Sequence, residues 1–172
     1  MSRAIFLVGF MGSGKNTVGQ ELARRLAWDF VDLDSCIETL EGQSIPEVFR
    51  SKGESYFRAA ERAALRQLLD SLARDSVVAL GGGAFMDASN RQMLRVWPTV
   101  FLDAAISELW QRCLDQESAE DTPRPLRRDL DQFARLYEDR LPFYRQASLT
   151  IQTSGKMPAV ICAEILLALP QS

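Results

Sequence analysis

Histidine is absent from this 172-residue chain, and that absence closes several chemical routes at once. Without imidazole there is no serine–histidine–aspartate triad, no imidazole relay and no histidine metal site, so proton transfer falls to carboxylates or lysine. Cysteine is scarce: Cys36, Cys113 and Cys162 are odd in number, far apart and without metal-ligand spacing, which reads as reduced thiols and not as a disulfide framework. No apolar run approaches the roughly 18 residues of a membrane span. The apolar opening lasts only a few residues before glycines appear, so no signal peptide is expected and the location expected is cytoplasmic. An excess of basic charge is missing too, since 20 Lys+Arg stand against 23 Asp+Glu for a formal net charge of −3. That balance argues against nucleic-acid binding and leaves anion affinity to local clusters of arginine.

What is present is a phosphate-binding loop, Gly9-Phe10-Met11-Gly12-Ser13-Gly14-Lys15-Asn16. Glycines let such a loop close around phosphate with its N–H groups inward, and the lysine reaches the β- and γ-phosphates. The last position normally carries the serine or threonine hydroxyl that ligates Mg²⁺; here it is Asn16. Ala4–Val8 before the loop reads as a strand buried on both faces. After it Val18, Leu22 and Leu26 recur at helical spacing, so a helix is expected from about Lys15. Its N-terminus adds free N–H groups and partial positive charge to the phosphate site.

The chain is of one-domain length. Further short β-rich segments are Asp29–Asp32, Ser76–Leu80, Thr99–Leu102 and Ser148–Gln152, with helical stretches between them. That alternation predicts a three-layer α/β/α fold around a parallel sheet, with ligands at the carboxyl ends of the strands. Ser44-Ile45-Pro46-Glu47 fits a capping box that opens a short helix closed by Gly53. Longer helices are expected over Glu54 to about Leu72, Ala105 to about Leu114 and Leu130 to Tyr144. From about 115 to 128 the chain is polar, with two prolines and Arg124, Arg127 and Arg128, which suits a lid over phosphates.

Phosphoryl transfer needs alignment, metal and positive charge more than covalent help. Lys15 and a lid arginine supply charge. Asp32 and Asp34 stand at the end of the second strand, where alternation puts both carboxylates on one side, one for metal and one for an acceptor hydroxyl. Asp34 is also a candidate cap for a helix beginning near Ser35. Gly81-Gly82-Gly83 permits close approach to a bound molecule. Arg58 and Arg140 can clamp a small carboxylate.

Taken in order and spacing, these motifs resemble shikimate kinase over essentially the whole chain: the loop at 9–15, Asp-Leu-Asp at 32–34, Phe57-Arg58 with Glu61, the triple glycine, Arg124-Pro125-Leu126 and Arg140-x-Pro-x-Tyr144. The resemblance implies a nucleoside-monophosphate-kinase-like P-loop kinase with a five-stranded parallel sheet, a substrate-binding segment at about 33–61 and a mobile lid. The implied reaction moves the ATP γ-phosphoryl to the 3-hydroxyl of shikimate, with Mg²⁺ as cofactor and ATP and shikimate as the partners of a monomer. Asp34 then orients the acceptor and takes its proton, while Arg58, Arg140 and Gly82 hold shikimate. Lys15 and Arg124 meet phosphate; Gly12, Ser13, Gly14, Asn16 and Thr17 complete the nucleotide cradle, and Arg112 and Lys156 flank adenine. Asn16 and Asp32 are the metal residues. Thr17 does not replace the missing hydroxyl, because one helical step turns a side chain by about 100°. Two rival readings stay open: a gluconate kinase, whose substrate also carries a carboxylate, and a catalytically silent nucleotide-binding relative weakened at residue 16.

Overall fold

All five residues of Ala4–Val8 are apolar and all five are buried, a pattern that suits a strand covered on both faces. This strand, β1, lies at the middle of a five-stranded sheet of order β2-β3-β1-β4-β5. The other strands are β2 (Asp29–Asp32), β3 (Ser76–Ala79), β4 (Thr99–Asp103) and β5 (Leu149–Gln152), and every pairing is parallel. The computed structural model describes residues 3–119 and 129–169.

Alternation along β1 separates two cores. Ile5 and Leu7 join Val18, Leu22, Val77, Val100, Ile161 and Ile165 on one face. Phe6 and Val8 join Phe10, Leu33, Val48, Phe57, Leu65, Phe101, Phe133 and Tyr144 on the other. Each fully buried side chain of this size contributes roughly 1.5–3 kcal/mol, so the two cores are what hold the layers to the sheet. Helices α1 (Lys15–Leu26) and α7 (Pro158–Ala168) cover the first face; α2 (Leu33–Glu41), α3 (Ile45–Ser71) and α6 (Leu130–Tyr144) supply residues to the second, with α4 (Ala88–Leu94) and α5 (Ile106–Ala119). The three-layer α/β/α arrangement read from the sequence is the one observed.

Local signals explain several boundaries. The Ser44/Glu47 capping box is formed in both directions, and Gly53, at φ 83°, breaks α3 into two helical runs. Two expectations are corrected. Asp34 does not cap a helix near Ser35, because α2 already begins at Leu33 with Asp32 as its cap; the extended alternation invoked for the two aspartates therefore stops at Asp32. Residues 115–119 are not part of a loop, since α5 continues to Ala119. The rest of the expected lid, Arg124 included, lies outside the described residues. Among the described residues no helix is long and apolar enough to cross a membrane.

Candidate active site

The site gathers where β1, β2 and β3 end. Gly14 caps α1 in the left-handed conformation, at φ 85°, which glycine adopts without the steric cost of a Cβ. Gly12, also left-handed at φ 79°, lies so close to α5 that a Cβ there would stand 2.8 Å from the Leu109 carbonyl oxygen. Lys15 folds back over the loop, its Nζ donating to the Gly9 and Phe10 carbonyls at 2.9 and 3.0 Å. Desolvation is the main reason its pKa falls to about 8; Asp34 and then Asp32 oppose that fall. Lys15 is thus a partly buried cation with two carboxylates nearby.

Asp32 organises the next group. One carboxylate oxygen accepts the Asp34 N–H at 3.0 Å as the α2 cap, and the other accepts the Asn16 amide at 2.9 Å. An ionised carboxylate only accepts, so Asn16 presents its NH₂ to Asp32 and its amide oxygen lies free of that contact. Thr17 is exposed one step further along α1. Hard oxygen donors from Asp32 and Asn16, too few to cage an ion, are the chemistry expected where Mg²⁺ arrives with nucleotide phosphates. Among the described residues no cluster of three or more acidic or thiol side chains offers a separate metal site.

The three consecutive glycines are met one by one by the three side chains singled out for substrate. A Cβ on Gly81 would stand 2.6 Å from an Asp34 carboxylate oxygen, one on Gly82 3.5 Å from Arg140 Nη1, and one on Gly83 2.5 Å from both terminal nitrogens of Arg58. Arg58 projects from α3 and Arg140 from α6, two elements far apart in sequence that the second core brings together. Arg58 is anchored by Glu61, whose Oε1 accepts from Nη1 at 2.9 Å. Glu61 is only 1% exposed; burial pushes its carboxyl upward, against the pull of Arg58.

On the far side of the phosphate loop, Arg112 of α5 donates to the Gly12 carbonyl at 3.3 Å and pairs with Glu108 at 3.1 Å. Glu108 also accepts the Gly155 N–H at 3.4 Å, so α5 ties the phosphate loop to the 153–158 loop. Lys156 is held by Glu164 at 2.7 Å. Two contributors were not assigned a role from sequence. Glu61 had a visible signal, its three-residue spacing from Arg58 on a helix. Tyr144 stands in the sequence only as the end of the Arg140-x-Pro-x-Tyr144 motif, yet its hydroxyl donates to the Gly82 carbonyl across 62 residues of chain.

The shikimate kinase family model matches residues 11–170. The shikimate kinase of Persephonella marina is 42% identical over 166 residues, covering 95% of this chain and 97% of that protein. The solved shikimate kinase from Acinetobacter baumannii, in complex with shikimate, superposes with a TM-score of 0.84 at 35% identity, covering 96% of this chain and 92% of that one. The enzyme from Aquifex aeolicus gives a TM-score of 0.82 at 36% identity over 95% and 94%. Matched at this identity along almost its full length, the chain belongs to the shikimate kinase family, whose reaction transfers the ATP γ-phosphoryl to the 3-hydroxyl of shikimate.

Proposed function

We propose that Asp34 is the group that orients the acceptor hydroxyl and takes its proton, that Arg58 and Arg140 hold the shikimate carboxylate, and that the Gly82 N–H faces the substrate. The observation that carries this reading is the succession Asp34, Arg140, Arg58 against Gly81, Gly82 and Gly83. A carboxylate for a hydroxyl and two guanidinium groups for a carboxylate face one glycine turn. A positioned base contributes about 10²–10⁴-fold to such a step.

On the nucleotide side, Gly12, Ser13, Gly14, Asn16 and Thr17 form the phosphate cradle. Lys15 and, from the remainder of the expected lid, Arg124 offset the charge that builds on the transferring group. Arg112 and Lys156 flank the base. Asn16 and Asp32 would hold Mg²⁺, which when bound draws charge from the β- and γ-phosphate oxygens. Residues 33–61 form the substrate segment of a single domain spanning 1–172, working as a cytoplasmic monomer on ATP and shikimate without nucleic acid or membrane.

The test is ADP release measured with shikimate and with gluconate side by side in Mg²⁺. Turnover with shikimate alone supports the assignment. Preference for gluconate, or binding of ATP and shikimate without turnover, would overturn it in favour of one of the two rival readings.

A further inference from the structure

Three consecutive glycines are the least constrained backbone a site can use, because each leaves φ and ψ open. Local bonds hold two of the three carbonyls here: Gly81 accepts the Ala84 N–H and Gly83 accepts the Met86 N–H, each at 3.1 Å. The carbonyl of Gly82 is held from elsewhere in the fold, by the Tyr144 hydroxyl at the end of α6. Tyr144 is fully buried, and its ring stacks on Phe101 of β4, with centroids 5.1 Å apart and planes 21° apart.

A trans peptide is planar, so fixing the Gly82 carbonyl fixes the 82–83 peptide and leaves the Gly82 N–H, in the preceding peptide, only the rotations about Gly82 φ and ψ. Arg140 lies one helical turn before Tyr144, with its Nη1 3.5 Å from where a Gly82 Cβ would stand, and sits over the Phe10 ring at 5.7 Å. Burial raises Tyr144 to about 12, which keeps it a neutral donor across ordinary pH.

We infer that Tyr144 is a positioning residue for shikimate: its hydroxyl holds the Gly82 carbonyl, and with it the glycine turn, in place beside Arg140, so that the turn and the arginine meet the substrate together. The inference rests on the assignment of Gly82 and Arg140 to shikimate. It assigns the tyrosine of Arg140-x-Pro-x-Tyr144 a task at the substrate in addition to its place in the core.

Tyr144→Phe keeps the ring on Phe101 and removes only the hydroxyl. The expected result is a rise of about three- to tenfold in KM for shikimate, with KM for ATP unchanged. Phe101→Leu serves as the comparison, since it loosens the ring stack and leaves the hydroxyl in place; it should lower Tm more than Tyr144→Phe while leaving KM for shikimate near the wild-type value. Equal changes in KM for both substrates of Tyr144→Phe, or a loss of Tm with unchanged KM for shikimate, would overturn the inference. Arg140→Ala separates the two levels: unchanged shikimate KM in that variant refutes the assignment of Arg140 itself. A raised KM there beside a normal one in Tyr144→Phe refutes only the role of Tyr144.

Discussion

Replacing Gly83 by alanine adds one carbon at a measured place. The backbone accepts it, since Gly83 has φ −100° and ψ −10°, which any L-residue adopts. The new Cβ would lie 2.5 Å from both terminal nitrogens of Arg58 and 2.7 Å from Cζ, about 1 Å inside ordinary contact. Arg58 must retreat, and its retreat is resisted by the 2.9 Å bond to the buried Glu61. Because the atoms met are the end of a flexible side chain, the folding cost stays below the roughly 1–3 kcal/mol typical of overpacked core positions. The binding cost is larger. A charge-assisted hydrogen bond is worth about 1.5–3 kcal/mol, so losing one guanidinium contact raises KM for shikimate by about tenfold to a hundredfold. The assay is steady-state ADP release with each substrate varied at saturation of the other, beside a thermal melt. An unchanged shikimate KM, or an equal rise for ATP, would show that Arg58 does not hold substrate against this glycine.

Lys15 makes nucleotide binding depend on pH. Its pKa in the free protein, about 8, rises when phosphates supply charge, so above that pH binding takes up a proton and affinity falls as pH climbs. Near pH 9 calorimetry in buffers of different ionisation enthalpy should report uptake of about nine-tenths of a proton per ADP bound; no uptake would contradict the placement of Lys15 at phosphate. Asn16→Ser restores a hydroxyl and releases Asp32 from the amide, and should lower the Mg²⁺ needed for half-maximal ADP binding by about tenfold. Identical Mg²⁺ dependence in the two proteins would exclude residue 16 from the metal.

The strands and the phosphate loop were legible because their signals are local. Ala4–Val8 is continuously apolar, and the glycines follow at once. The capping box at Ser44 and the break at Gly53 were legible for the same reason. The acidic pair misled at the level of backbone: extended alternation was assumed through Asp34, whereas the Asp32 side chain captures the Asp34 N–H and starts α2 two residues early. The end of α5 was hidden because 115–119 is polar in sequence and continues no apolar stripe. α7 was missed for the opposite reason, since Pro158–Ala168 is apolar nearly all round and shows no helical period. Arg58, Asp34 and Arg140 were found as residue types with a chemistry. Their one-to-one meeting with Gly81, Gly82 and Gly83 depends on the packing of α2, α3 and α6 over the second core, and no spacing in the sequence encodes it.

In the proposed mechanism Asp34, pressed against Gly81 and close enough to oppose the loss of charge on Lys15, takes the proton from the acceptor hydroxyl. Its most direct test is the rate of ADP release with saturating shikimate, ATP and Mg²⁺ in the wild type and in Asp34→Asn, which keeps the shape of the side chain and removes its basicity. The expected result is a fall in kcat of about 10²–10⁴-fold, with shikimate still bound through Arg58 and Arg140. A kcat equal to that of the wild type would contradict it.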